Sequence, residues 1–177
     1  MITLRLPYRL RQVAEHVFAD GDDAPAIPAS ARLLLTPPML HQFRILPVID
    51  QRHLLGVYAL LVAMNAEPDT ITAGLIHDVG KACAKCRITV LDRGLHVILR
   101  RAAPAPYRVF AGLQTAPPLV RGLHRLANHA ERGALAGEQA GYNQRVIDLV
   151  RHHESGGDPF DIQLQMLRRA DREAGRI

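Results

Sequence analysis

His77 and Asp78 stand side by side in AGLIHDVGKACAKC, residues 73–86, directly after an apolar run. Imidazole and carboxylate groups both bind divalent transition metals, and the two oxygens of an aspartate can bridge a pair of cations. The stretch also contains the pair Cys83 and Cys86, so a metal centre, a redox pair and an ordinary buried helix all have to be considered. The choice depends on whether other histidines and carboxylates converge on His77 and Asp78.

Further histidines recur at a spacing that suits helical hairpins. His53 precedes His77 by 24 residues, the length of one helix, a turn and most of a second antiparallel helix. His129 precedes His153 by the same 24 residues and His152 by 23. We therefore expect one hairpin to supply half of a site and a second hairpin to supply the other half.

Two charged residues belong with these histidines. Asp171 interrupts the apolar face of the last predicted helix, and a carboxylate that points inward needs a partner, such as a metal ion. Lys81 follows Asp78 by three residues and therefore lies on the same side of a helix. A cation at that place could neutralise charge that develops on a phosphate group.

The string HDVGK, with His53 upstream in QRHLLGVYALL, resembles the HD superfamily of metal-dependent phosphohydrolases. The signature of that superfamily is a histidine, a His-Asp pair and a distant aspartate. The segment HAERGALAGEQAGYNQRVIDLVRHHE is similar to the extended histidine set of the HD-GYP and HDIG-type branches, and the resemblance covers about residues 40–175. The HD-GYP branch has a Gly-Tyr-Pro element after its HHE, whereas this chain has HHESGGDP, so cyclic di-GMP is disfavoured as a substrate.

The resemblance implies a binuclear site, with Asp78 as the bridging residue and iron or manganese as the metal. In the superfamily, a water molecule activated by the metals attacks a phosphomonoester or phosphodiester, here expected in a small nucleotide-like substrate. The matching metal-ligand positions are His53, His77, Asp78, His129, either His152 or His153, and Asp171.

The resemblance also implies roles for the residues that do chemistry on the substrate. Asp78 and Lys81 are the expected catalytic residues, and Lys81 and Arg52 are the expected phosphate-binding residues. Arg52 is chosen because it adjoins His53. A nucleotide-sensing regulatory module that keeps the fold without turnover is the alternative, and the retention of every ligand position favours the enzyme.

Helical periodicity predicts the elements that must position these residues. We expect an N-terminal helical arm over 1–38, with an amphipathic helix at 8–19, followed by the HD-type domain over 39–177. Within the domain, one helical pattern runs over 39–66 with a break near Pro47, and a second helix starts near Asp69 or Thr70 and continues through the HDVGK string to Lys85.

The later part of the chain is also predicted to be helical. Residues 88–101 read as a helix, although their β-branched side chains permit a strand, and the proline-rich stretch 102–120 is a candidate flap over a site. Three more helical patterns follow. The fold expected is a single-domain all-α bundle of the HD-domain type, with roughly six to eight helices.

Composition limits the classes of partner. The net charge of +5 comes almost wholly from arginine, but the basic residues form no dense run and do not alternate with aromatics, so nucleic acid is disfavoured. The N-terminal sequence has no apolar stretch that a signal peptide or membrane span requires, so we expect a cytoplasmic protein without membrane contact. A homo-oligomer is compatible with these features.

Several histidines and the cysteine pair have ordinary structural explanations. A single CxxC cannot complete a zinc site, and core packing of Cys83 and Cys86 is the favoured interpretation over metal or redox chemistry. The isolated histidines are expected to be structural or solvent-facing: His16, His41, His96 and His124.

Overall fold

Helices form every regular element of the described residues, which are 24–83, 88–113 and 115–175 of a computed structural model. The all-α prediction is confirmed. The helix predicted over 8–19 lies outside the described residues. The ten α-helices within the described ranges are α1 (Ala29–Leu33), α2 (Pro37–Ile45), α3 (Val48–Ala63), α4 (Pro68–Ile76), α5 (Val90–Ala102), α6 (Pro104–Ala111), α7 (Arg121–Ala127), α8 (His129–Gln139), α9 (Gln144–His152) and α10 (Ile162–Ala174).

Prolines and polar caps set where these helices begin. Pro37, Pro68 and Pro104 each occupy the first position of a helix, where the missing N–H removes no hydrogen bond. Thr89 forms a capping box with Asp92, which explains why residues 90–102 form a helix rather than a strand. Because prolines divide the chain often, the helices are short and outnumber the expected six to eight.

The helix predicted to carry the HDVGK string ends earlier than expected. α4 stops at Ile76, His77 is its C-cap, and Asp78 precedes a 3₁₀ turn at Val79–Lys81. The turn packs against α8 so closely that a Cβ atom on Gly80 would clash with the backbone of His129. His77 and Asp78 therefore lie at a helix end and in a turn, where their backbone differs from that of a continuous helix.

Four helices enclose the centre of the apolar core. α3, α4, α9 and α10 pack against one another, and α8 packs on α9 and on the 3₁₀ turn. Their innermost side chains are fully buried: Leu54, Val57, Leu61, Leu75, Ile76, Leu149, Val150, Leu164 and Leu167. The candidate residues lie at the edge of this core, so aliphatic packing fixes the backbone that carries them. No helix in the described ranges has both the length and the apolar character needed to cross a bilayer.

α5 joins this core through an ion pair that the sequence does not predict. The guanidinium of Arg93 donates two hydrogen bonds, of 3.1 and 2.6 Å, to the buried carboxylate of Asp50 on α3. Asp92 is occupied by the capping box, because its carboxylate accepts from the backbone N–H of Thr89.

Candidate metal centre

Six residues from five elements meet at one edge of the core. α3 contributes one histidine, the end of α4 a His-Asp pair, α8 its first residue, α9 its C-cap and α10 an aspartate. The residues are His53, His77, Asp78, His129, His153 and Asp171.

Three of the imidazoles are held by the same backbone contact. The Nδ1 atoms of His77, His129 and His153 lie 2.9, 2.7 and 2.7 Å from the carbonyl oxygen three residues earlier. A carbonyl oxygen only accepts, so each Nδ1 must carry the proton and donate it. Nε2 is then the atom that faces the cluster, in the tautomer that binds metals, with its ring orientation fixed by the backbone.

Asp78 lies at the centre of the imidazole nitrogens. Its Oδ1 is 3.2 Å from His129 Nε2 and 3.9 Å from His153 Nε2, and its Oδ2 is 3.7 Å from His77 Nε2. The Nε2 atoms of His129 and His153 are themselves only 3.2 Å apart. The two oxygens of one carboxylate thus face different histidines.

His77 connects this group to Asp171. Asp171 Oδ1 lies 3.0 Å from His53 Nε2 and 3.6 Å from His77 Nε2. Within the described part of the chain, the buried His77 Nε2 has no hydrogen-bond partner, because both of its carboxylate neighbours lie beyond hydrogen-bond distance. Buried nitrogens without a hydrogen-bond partner are uncommon in folded proteins, so we expect this atom to bind a ligand.

The donor atoms form two groups that could each hold a cation. His53, His77 and Asp171 form one group, and His77, Asp78 and His153 form the other. Within each group the potential ligand atoms all lie within 4.8 Å of one another. Described residues can therefore hold metal at two neighbouring places, and the donors are imidazoles and carboxylates only.

The site is buried on one side and open on the other. His77 is 1% exposed and Asp78 3%, whereas the side chains of His53 and Asp171 are 14% and 33% exposed. The cluster is therefore exposed to solvent on the side of His53 and Asp171.

The charges around the cluster keep its carboxylates ionised. Burial alone would raise the pKa of Asp78, but Lys81, His77 and His129 outweigh it and hold that pKa well below its usual range. Burial likewise opposes ionisation of Asp171, and contacts with His53 and His77 again bring the pKa below normal. Burial and the neighbouring His77 and His129 lower the pKa of His153 to about 3, which leaves its imidazole neutral.

Two residues expected to contact phosphate occupy different surroundings. Lys81 lies in the 3₁₀ turn with its Nζ 2.5 Å from Asp78 Oδ2, so its positive charge borders the cluster. Arg52 is exposed on α3, and its Cα–Cβ direction is rotated by about 100° from that of His53. The structure thus places Lys81 beside the candidate metal ligands, and the phosphate-binding role of Arg52 remains a prediction.

His152 lies apart from the six converging residues. His152 Nδ1 is 2.9 Å from the carbonyl oxygen of Asp148, and its ring borders Gly157. Of the two histidines at the end of α9, His153 is therefore the one that meets the cluster. Cys83 follows the 3₁₀ turn and is disulfide-bonded, which contradicts the interpretation of the pair as free core-packing thiols, and Cys86 lies outside the described residues.

Glu154 directly follows His153 and lies close enough to His129 to affect its electrostatics. Its carboxylate accepts a hydrogen bond of 2.8 Å from Arg100 on α5. Burial would raise the pKa of Glu154, but His129 and Arg100 outweigh it and lower the pKa to about 2. Glu154 therefore adds negative charge beside His129. Its ion pair with Arg100 could not be predicted from the sequence, because 54 residues separate the two.

Comparison with known proteins does not place the chain in a family. A scan against protein-family models, a search among curated proteins and a search among solved structures each found no match. The chemistry of the site has to be argued from its own residues.

Proposed function

We propose that this chain is a metal-dependent phosphohydrolase of the HD type, which cleaves a phosphomonoester or phosphodiester in a small, nucleotide-like substrate. The observation that carries the proposal is the buried Nε2 atom of His77. It lies 3.7 and 3.6 Å from the carboxylates of Asp78 and Asp171 and, among the described residues, has no hydrogen-bond partner. A divalent cation would satisfy this nitrogen and both carboxylates together, and the mixed donor set suits iron or manganese.

Asp78 is the residue best suited to be shared by two ions. An imidazole Nε2 has one lone pair, whereas a carboxylate offers two oxygens. Oδ2 of Asp78 faces His77, and Oδ1 faces His129 and His153. His53, His77 and Asp171 would then hold one ion together with Asp78, and His129 and His153 would hold the other together with Asp78.

The HD assignment is supported by the positions that matched its signature. His53, His77, Asp78 and Asp171 are spread over more than half of the sequence, and all four have donor atoms in the cluster. His129 and His153 match the additional histidines of the binuclear branches. A cluster assembled from such distant positions is an uncommon outcome for residues with purely structural roles.

The residues around the cluster have distinct roles in this mechanism. A bound metal pair would supply Lewis acidity and lower the pKa of a water molecule enough for attack on phosphorus near neutral pH. Lys81 would face the phosphate: burial lowers its pKa, but Asp78 and Asp50 outweigh this effect and keep it protonated. The positive charge of Lys81 would then offset negative charge that builds on the phosphate oxygens.

Hydrolysis of a model monoester and a model diester tests the proposal. p-Nitrophenyl phosphate and bis(p-nitrophenyl) phosphate would be assayed with manganese or iron, using the wild-type protein, Asp171→Asn and His41→Gln. His41 is an exposed histidine on α2, so its variant controls for the loss of any histidine. We expect Asp171→Asn to lose about 100-fold or more in kcat/KM, because even residues that only support metal ligands contribute about 10–100-fold.

The outcomes separate the enzyme from the regulatory module. Metal-dependent hydrolysis that requires Asp171 and tolerates His41→Gln supports the proposal. Hydrolysis of neither ester with either metal, together with nucleotide binding, would instead indicate a sensing module and would contradict the enzyme. Hydrolysis that does not change in Asp171→Asn would place the activity elsewhere.

A further inference from the structure

A second feature of the molecule is a basic cavity of about 240 Å³ beside α7 and α8. Arg121, Arg125 and Arg132 line it, together with His124 and Thr115. No carboxylate belongs to its described lining, and none of these residues is a donor of the metal cluster. The cavity therefore concentrates positive charge at a place separate from the metal centre.

The arginines of this cavity differ from the paired arginines elsewhere in the fold. Within the described residues, the side chains of Arg121 and Arg132 form no ion pair or hydrogen bond. By contrast, several other guanidiniums have a carboxylate partner: Arg93 with Asp50, Arg100 with Glu154, Arg145 with Asp161, and Arg151 with Glu131.

Arg125 has partners, but they are neutral. Its Nε donates to the carbonyl oxygen of Gly80 at 3.0 Å, and its Nη2 donates to the carbonyl oxygen of Ala82. Burial and the nearby Arg132 lower the pKa of Arg125. A lowered pKa is expected for a cation that has another cation nearby and no anion to compensate for it. Three guanidiniums thus surround one cavity without a negative charge from its described lining.

We propose that this cavity binds a phosphate group that carries several negative charges, at a site distinct from the metal centre. Guanidiniums offer planar forks of N–H donors that match phosphate oxygens, and a phosphate would supply the missing negative charge. The cavity is smaller than the usual range of about 300–1,000 Å³ for sites that enclose a drug-sized ligand. It therefore suits one or two phosphates, either as a free anion or as the phosphates of a nucleotide whose base remains outside.

The cavity also adjoins the elements that carry the metal cluster. The two carbonyl groups held by Arg125 flank Lys81, whose Nζ contacts Asp78. Arg132 lies on α8, three residues after His129. A phosphate bound in the cavity would therefore contact Arg125, whose hydrogen-bond partners flank Lys81. It would also contact Arg132, which lies about one helical turn from His129.

Calorimetric titration of the full chain with inorganic pyrophosphate tests this proposal. The variant is Arg121→Gln/Arg132→Gln, which leaves Arg125 in place to hold the 3₁₀ turn. The control is Arg32→Gln/Arg101→Gln, which removes the same charge from exposed positions outside the cavity. We expect Kd to rise by about tenfold or more in the cavity variant, since two charge-assisted contacts are lost, and to change by less than about twofold in the control.

Titrations with ADP and adenosine identify the source of the phosphate. If ADP binds more tightly than pyrophosphate and this binding is lost in the cavity variant, the ligand is a nucleotide. If ADP and pyrophosphate bind equally and adenosine does not bind, the cavity recognises the phosphate group alone. An unchanged Kd in the cavity variant, or an equal rise in the control variant, overturns the proposal. Only variants whose unfolding temperature matches that of the wild-type protein are compared. The binding measurement needs neither turnover nor metal, so its outcome is independent of the proposed hydrolysis.

Discussion

At the scale of single residues, the orientation of each imidazole decides whether it is a ligand. His152 and His153 are adjacent, and the sequence could not choose between them because a shift of one position rotates a side chain by about 100° around the helix. The structure places His153 Nε2 3.2 Å from His129 Nε2, whereas His152 lies beside Gly157. The isolated His96 and His124 behave as expected for structural histidines, since their rings contact Tyr107 and the Leu113 carbonyl.

This difference between neighbours gives a matched pair of variants. We expect His153→Gln to weaken manganese binding by about 100-fold or more, because it removes a donor whose Nε2 faces Asp78. His152→Gln should change the affinity by less than about threefold, as is usual for substitutions away from a site. Calorimetric titration with manganese measures the affinity of each variant. Equal losses in the two variants would show that the donor set assigned to α9 is wrong.

At the scale of elements, periodicity predicted the helices well but not the end of α4. The helical patterns predicted at 128–141, 142–153 and 160–175 match the observed helices α8, α9 and α10, because each has an apolar face that packs on the core. The 3₁₀ turn at 79–81 could not be foreseen in this way. It arises from a close backbone approach between Gly80 and α8, which depends on tertiary packing and leaves no periodic signal.

Substitution of two glycines tests how far the site depends on the close packing of Gly80 against α8. A Cβ atom on Gly80 would clash with the carbonyl group of His129, whereas a Cβ on Gly94 in α5 would meet nothing within 4 Å. We expect Gly80→Ala to lower the free energy of unfolding by about 3 kcal/mol or more, since the backbone it meets cannot move aside cheaply. Gly94→Ala should raise the free energy of unfolding by about 0.5–1 kcal/mol, as expected inside a helix.

Urea denaturation monitored by circular dichroism gives both values. Opposite signs for the two substitutions would confirm that the 3₁₀ turn is packed against α8 as described. A Gly80→Ala protein as stable as the wild type would contradict the packing, and with it the position of Lys81 beside Asp78.

At the scale of the whole molecule, the candidate metal ligands come from helices that are distant in the sequence. α3, α8, α9 and α10 each contribute a donor, and the end of α4 contributes two. Composition and periodicity predicted the all-α fold, and the resemblance of the HDVGK string predicted which residues would meet. The arginine-lined cavity and the Asp50–Arg93 pair were not predicted, because both join positions whose proximity follows only from the packing of the helices.

The proposed binding of metal by these five elements predicts that removal of metal destabilises the whole fold. A ligand present at about 100 times its Kd stabilises the native state by about 2.7 kcal/mol. For a chain of this size, that energy corresponds to a shift of about 5–10 °C in unfolding temperature.

Metal content, measured by mass spectrometry together with the unfolding temperature before and after chelation, tests the central claim most directly. The protein would be loaded with manganese or iron, and Asp171→Asn would be measured beside the wild type. We predict two ions per wild-type chain, fewer in Asp171→Asn, and a fall of about 5–10 °C in unfolding temperature when the metal is removed. A wild-type protein that binds neither metal, and whose unfolding temperature is the same with and without chelator, would contradict the account.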